Sequence, residues 1–377
     1  MIREGEALLY VSREHLGGKD VAKLQLYQDN GYVNVRSIIE YAREKKIMFV
    51  LTYGGRGAGK TYTTLLELPR LGLPFFHLRR RQDTIDILNK PAFNDYVTKI
   101  NPAEGTDIEP FPLTKKSAGY YHTETDENGK RSPAGELLGM TISLSTFATY
   151  RSVGLSEWPV IFYDEYIPQL EEQRIKHEGT AFFNLVESIN RNRELNGIPP
   201  VIVFGTANTN NIANPIFMEL QIVENAMKMK EKGLEWMEIH RKNGQSILLI
   251  DFFKSPISKK KAETALYSIS QDEDFNAMAI GNQFAYNDTS EVRSEDLKQY
   301  KPVAQLGEMV FYRHKSEKGF WYVSFHKSGN IPYYNLDTLG ARRFKRDMTG
   351  FFRAYLNQKV SFENYTLKSM LDNTYKF

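Results

Sequence analysis

The sequence predicts an α/β fold, and three observations carry that prediction. Short apolar runs recur at 46–53, 73–78, 159–165, 200–206 and 247–253, a length and composition that read as buried strands. Between them, 35–44 and 182–189 space their apolar residues three and four apart, as helices do. The resulting order is that of βαβ units around a mostly parallel sheet, whose ligands meet the C-terminal ends of the strands.

The first strand runs into Gly54, Gly55, Arg56, Gly57, Ala58, Gly59, Lys60 and Thr61, which match G-x-x-x-x-G-K-[ST] throughout. Residues 62–68 continue as helix, the strand–loop–helix context that this phosphate-binding pattern requires. Glycines let the backbone wrap a polyphosphate and aim its N–H groups at the oxygens, and the helix N-terminus adds a favourable dipole. Lys60 is expected to reach the β- and γ-phosphates of ATP, and Thr61 to ligate Mg²⁺. A glycine-rich turn that happens to hold a lysine is the competing account, and the context weighs against it.

The strand at 159–165 ends in Asp164 and Glu165, 104 residues beyond Lys60. Asp164 is expected to hold Mg²⁺, since hard cations take oxygen ligands. Glu165, one position on, faces another way and can polarise a water in line with the γ-phosphate. Many strands end in acids, but tandem acids paired with a phosphate loop argue for hydrolysis.

Composition bounds the alternatives. The 377 residues are 41% hydrophobic and 25% charged, without cysteine, as in an ordinary globular protein free of disulfides and thiolate metal sites. No apolar run reaches eighteen residues and the N-terminus has no signal-peptide pattern, so no membrane association is expected. The net charge is +3, so any nucleic-acid contact must come from local clusters rather than a global field.

Further along, 120–125 and 137–142 flank Asn128-Gly129, a hairpin signal. Arg79, Arg80 and Arg81 emerge at the end of the 73–78 strand, where a solvated strand end would also account for them. Arg191 and Arg193 end the 182–189 helix. An arginine there can stabilise transition-state charge across a subunit interface, or simply complement the helix dipole. Asn208 follows the 200–206 strand, placed either to sense a γ-phosphate or to shape a loop. The lysine-rich segment 227–232 reads as an exposed helix.

Several stretches in order carry a resemblance: 54–61 with its internal Arg56, 76–80, 143–145 through Arg151 to Asp164 and Glu165, 191–194, Ala207-Asn208 with Asn214-Pro215, and 281–284. On these the chain resembles the genome-packaging ATPases, or encapsidation proteins, of small phi-29-like tailed phages, over about two thirds of its length. The resemblance implies a P-loop NTPase of the ASCE type that uses ATP and Mg²⁺. It implies a motor that pumps double-stranded DNA into an empty capsid at the portal vertex, in the host-cell cytoplasm. A homo-oligomeric ring follows, a pentamer by resemblance, with a structural RNA as a further candidate partner. Lys60, Thr61, Asp164 and Glu165 take the catalytic roles, Arg191 matches the arginine finger that acts in trans, and Arg193 is its alternative. Arg56 and Arg79 fall where basic residues approach the nucleotide. Arg151 falls where a cation faces the DNA channel; such a cation grips phosphate without reading bases.

The expected organisation is an N-terminal extension at 1–45, an ATPase domain at 46–254 and a linker at 255–301, in which 262–267 is helical and 271–274 forms a turn. A C-terminal α+β domain at 302–377 follows, with short strands at 308–312, 319–325 and 331–334 and helices from 342. Strands followed by helices fit the family's small RNase H-like domain. Asp337 is isolated and the first two strands carry no central Asp, whereas two-metal cleavage needs converging carboxylates. No nuclease activity is therefore expected. The competing assignments are another DNA-dependent P-loop ATPase, helicase-like or of a phage-assembly type, and a nucleotide switch without turnover.

Overall fold

A computed structural model of the chain describes residues 9–10, 24–150, 158–169, 172–173, 175–257, 260, 264, 289–327 and 329–375. They fall into two compact units, the first comprising Met1–Glu219 and Lys228–Ala285, the second Leu220–Met227 and Tyr286–Phe377. The expected helix at 262–267, the turn at 271–274 and the 281–284 motif lie largely or wholly outside the described residues.

In the first unit the elements run β1 (Leu9–Tyr10), α1 (Val35–Glu44), β2 (Phe49–Tyr53), α2 (Lys60–Arg70), β3 (Phe75–Arg79), α3 (Gln82–Leu88), α4 (Asn101–Glu104) and the hairpin strands β4 (Ile108–Thr114), β5 (Ser117–Thr125) and β6 (Arg131–Ser143). There follow β7 (Val160–Asp164), α5 (Glu178–Asn190), β8 (Ile202–Ala207), α6 (Pro215–Glu219), α7 (Val223–Glu231), whose first residues to Met227 count with the second unit, β9 (Trp236–His240) and β10 (Ser246–Asp251). Ten strands form one sheet in the order β1-β9-β10-β2-β8-β7-β3-β6-β5-β4. From β10 to β6 all neighbours are parallel, and the antiparallel pairs lie at the two edges.

Burial on both faces explains the continuous apolar runs of the central strands. Every residue of β7 and β8 is buried, as are Phe75 to Leu78 of β3. Asn34 caps α1, its side chain accepting from the Ser37 amide, and the helix packs Val35, Ile38 and Ile39 into the same core as Leu65, Phe75, Val160 and Phe204. Residues 24–45 thus supply core of the first unit. The hairpin turn falls at Asn128-Gly129, where Gly129 adopts φ +77°. The 227–232 segment is helical to Glu231 but not exposed throughout, since α7 buries Met229.

Strand order is what makes a site. β8 stands between β2, which leads into the glycine loop, and β7, which carries the acids. Parallel pairing brings the ends of all three to one sheet edge, with Tyr53 opposite Ala207 and Asp164 opposite Thr206.

The second unit has β11 (Tyr300–Leu306), β12 (Met309–His314), β13 (Trp321–Ser324), β14 (Tyr333–Tyr334), α8 (Thr338–Asp347), α9 (Thr349–Leu356), β15 (Val360–Phe362) and α10 (Tyr365–Tyr375). Its sheet order is β14-β11-β12-β13-β15, antiparallel from β11 to β13 and parallel at both edges. β12, β13 and β14 fall on the expected strands and the helices start at 338, near the expected 342, whereas β11, partly inside the expected linker, and β15, whose three residues give no period, were not expected.

Candidate functional site: a phosphate loop facing two carboxylates

A cleft of about 490 Å³ lies at this edge, lined by Gly57, Lys60, Thr61, Asp164, Glu165 and Asn208 among others. Two glycines of the loop are required by their surroundings. A Cβ on Gly54 would lie 2.9 Å from the Phe252 Cβ, and one on Gly59 (φ +83°) would lie 2.6 Å from the Tyr32 ring. Lys60 is buried, its Nζ donating to the carbonyl oxygens of Gly54 (3.0 Å) and Gly55 (2.8 Å) and approaching the Asn208 Oδ1 at 3.4 Å. Phosphate oxygens in the loop would compete for these same ammonium protons.

Across the cleft, the Asp164 Oδ1 accepts from the Thr61 hydroxyl (2.8 Å) and the Thr206 hydroxyl (2.6 Å). Its Oδ2 pairs with the Arg79 guanidinium and lies 3.8 Å from the His77 Nε2. Burial alone would raise this carboxyl's pKa. The Arg79 charge, the His77 ring and the Thr206 hydroxyl outweigh it and hold Asp164 well below the usual carboxylate range. An ionised carboxylate beside two hydroxyl oxygens suits a hard divalent cation. Among the described residues no three His, Cys, Asp or Glu side chains converge as a protein-only metal site. The donor set therefore fits Mg²⁺ that arrives with phosphate oxygens, the usual habit of that ion.

Glu165 begins where β7 ends and adopts φ +55°, a left-handed backbone that costs a non-glycine residue free energy and recurs at functional sites. This turn aims the two adjacent acids in different directions. The Glu165 side chain is 41% exposed, and its Oε2 accepts from the Arg79 Nη2 at 2.5 Å. Arg79 thus spans both acids. Burial depresses its pKa, but Asp164 and Glu165 more than compensate and leave it raised.

The arginines part company. Arg56 lines the cleft and donates to the Gln169 Oε1 at 3.3 Å. Arg191 is exposed at the end of α5 with φ +41°, its Nε donating to the Ser188 carbonyl at 3.0 Å, and it does not line the cleft. Arg193 is buried, its Nε donating to the Pro199 carbonyl at 2.9 Å. A solvated strand end, one account of Arg79 to Arg81, fails for two of them: Arg79 pairs with the acids, and Arg80 is buried against Glu178 (2.6 Å) and Glu172. Arg81, on Asp83 at 2.7 Å, is the peripheral one. Arg151 lies outside the described residues.

Sequence reasoning overlooked His77 and Thr206. Each sits two residues before a predicted site residue, Arg79 and Asn208, on strands where alternate side chains share a face. A polar residue inside an otherwise apolar strand was the available signal. His77 is fully buried and bonds the Tyr120 hydroxyl through Nδ1 at 2.9 Å.

No family model matches the chain, and no curated protein matches it. Solved structures do. The bacteriophage Phi-29 viral genome packaging motor assembly aligns over 92% of this chain and 98% of its own, at 17% identity and a TM-score of 0.59. The Phi-28 gp11 DNA packaging motor aligns over 89% and 96%, at 17% identity and a TM-score of 0.56. This chain has their fold. At such identity the likeness speaks for the backbone, and the chemistry has to be argued from the cleft.

Proposed function

We propose that this chain is an ATP-hydrolysing motor subunit that drives double-stranded DNA into an empty capsid at the portal vertex. The observation that carries the proposal is the convergence of Lys60, Thr61, Asp164 and Glu165 in one cleft, within a fold shared with two packaging motors. Loop amides and Lys60 would hold the β- and γ-phosphates, while Thr61 and Asp164 would hold Mg²⁺, whose charge would offset that of the phosphate oxygens. Glu165 orients and polarises the attacking water. To do so it must exchange its bond to Arg79 for one to water. Asn208, within 3.4 Å of the Lys60 ammonium, is placed to register the γ-phosphate.

Exposure of Arg191 outside its own cleft supports a role toward the site of a neighbouring copy in a homo-oligomeric ring, a pentamer by resemblance. The buried Arg193 fits that role less well and fastens its own loop. An antiparallel β11–β13 sheet with helices after it supports an RNase H-like reading of the second unit. Asp337 there is occupied as the cap of α8, accepting from the Gly340 amide at 2.7 Å, in keeping with a domain that contacts DNA or docks without cutting. Among the described residues no helix is long and apolar enough to cross a membrane. The proposed place of action is the host-cell cytoplasm, on the capsid's portal vertex, where a structural RNA is a further candidate partner.

The test is packaging itself. Purified empty capsids, this protein, ATP and genomic DNA should yield DNA protected from nuclease, and Glu165→Gln protein should yield none. ATP turnover without protected DNA would move the chain to another class of DNA-dependent ATPase.

A further inference from the structure

We propose that Tyr32 is the platform on which the base of a bound nucleotide stacks, a role outside the phosphate-loop motif. The inference rests on the ATPase reading and identifies a subsite beside that cleft, reached across Gly59. Tyr32 is 39% exposed although large and aromatic, and its ring rests on Gly59, which lines the cleft. The contact is close enough that a methyl group on Gly59 would overlap the ring.

The turn that carries Tyr32 is held by backbone bonds. Tyr27 and Val33 form an antiparallel bridge, and between them the Gln28 amide donates to the Tyr32 carbonyl at 2.8 Å. Gly31 makes the turn at φ +87°, a conformation open to glycine. The Tyr32 amide donates to the Asn30 Oδ1 at 3.0 Å, and the Val33 amide to the Ala58 carbonyl of the phosphate loop at 3.2 Å. The backbone that carries the ring is therefore tied to the loop.

Its position is the appropriate one. Asp164 and Glu165 mark the γ-phosphate end of the cleft, on the β7 side of β2. The Tyr32 turn is anchored on the opposite side of β2, where the Tyr27 hydroxyl donates to Glu235 at 2.9 Å and the Tyr27 ring meets Phe252 with centroids 5.9 Å apart. A triphosphate with its terminal phosphate at the carboxylates leaves its nucleoside toward Tyr32. Tyr62, in the first turn of α2, lines the cleft as a second aromatic wall there. Stacking accepts any base, because every base has a π-face. The subsite should thus strengthen nucleotide binding with weak discrimination among bases.

Binding of Mg-ATP and of Mg-tripolyphosphate, which has no base, separates this role from support of the loop. Tyr32→Ala should raise the Kd for ATP roughly tenfold and leave that for tripolyphosphate unchanged, and Tyr32→Phe should stay near wild type. In Tyr32→Trp, which keeps a stacking ring, emission of the introduced indole should change with ATP and not with tripolyphosphate. Equal weakening of both ligands in Tyr32→Ala would make Tyr32 a prop for the loop and overturn the proposal, as would no change in either. Wild-type protein that binds neither ligand would overturn the ATPase reading and this one with it.

Discussion

The cleft of the first unit and the core of the second bury quite different material. Around the cleft Asp164, Lys60 and His77 are each buried, every one in a specific polar contact. In the second unit Phe311 packs tilted against Phe344 and edge-on against Phe351 with centroids 4.5 Å and 4.8 Å apart, and Trp321 closes the cluster. A buried charge is costly unless paired, so the cleft tolerates few substitutions and its residues are identifiable by type. An aromatic core asks for volume and packing, so many sequences would fill it. The comparison predicts that a change at the partly exposed Glu165 stops chemistry with little effect on folding, and that changes in the second core do the reverse.

The largest effects should come from the loop and the acids. Lys60→Ala should remove detectable ATP binding, whereas Glu165→Gln should bind ATP and lose about 10²–10⁴-fold in turnover, the usual reach of a general base. Equilibrium binding and phosphate release measured on the same preparations decide this, and near-normal turnover by Glu165→Gln would reassign the catalytic acid.

Arg191 extends the comparison to a site shared between copies. Arg191→Ala should reduce turnover on the order of 10³-fold, and mixing it with Glu165→Gln should restore part of the activity, since some pairs then combine an intact glutamate with an intact arginine. A mixture no more active than its components would return Arg191 to capping α5.

For the second core, Phe351→Ala should lower unfolding free energy by about 3–5 kcal/mol, read by denaturant titration. Its loss of ATP turnover should be slight in any protein still folded. A turnover defect as deep as that of Glu165→Gln would break the division of labour.

A smaller effect, visible only against pH, belongs to Asp251 at the end of β10. It is buried, its Oδ1 has no hydrogen-bond partner, and burial, only partly countered by Lys230 and Lys60, pushes its pKa up to about 8. The folded chain holds this proton while the unfolded chain releases it near pH ~4, so stability falls as pH rises between about 4 and 8. Asp251→Asn should flatten that dependence and raise Tm at pH 7. Asp164 works the other way, its depressed pKa contributing stability above the ordinary carboxylate range that is lost as acid protonates it. Identical Tm–pH curves for wild type and Asp251→Asn would show that Asp251 is ionised in the fold.

Much of the first unit was legible residue by residue. The phosphate loop is a fixed spacing around a backbone need, and the central strands are apolar because both faces are covered, so loop, strands and the acids after 163 could be read in one dimension. His77 and Thr206 could not, because each matters through a neighbour on another strand. Arg80 was read as a candidate for solvent because its partners, Glu172 and Glu178, lie some 92 and 98 residues away. Tyr32 has no motif at all, and its significance comes from resting on Gly59.

By itself the sequence determined the chemistry available: a loop of glycines ending in lysine and threonine, a strand ending in two acids, and enough alternating apolar segments to carry both. Each depends on local backbone geometry or on periodicity, which the order of residues encodes directly. Tertiary structure alone decided the assembly: that β8 stands between the loop strand and the acid strand, that Arg79 spans Asp164 and Glu165, that Arg193 turns inward while Arg191 faces outward, and that an aromatic ring from residue 32 lies on the loop at residue 59. Those outcomes depend on which distant segments pair and on whether burial of a charge is compensated, and neither is a property of any one segment.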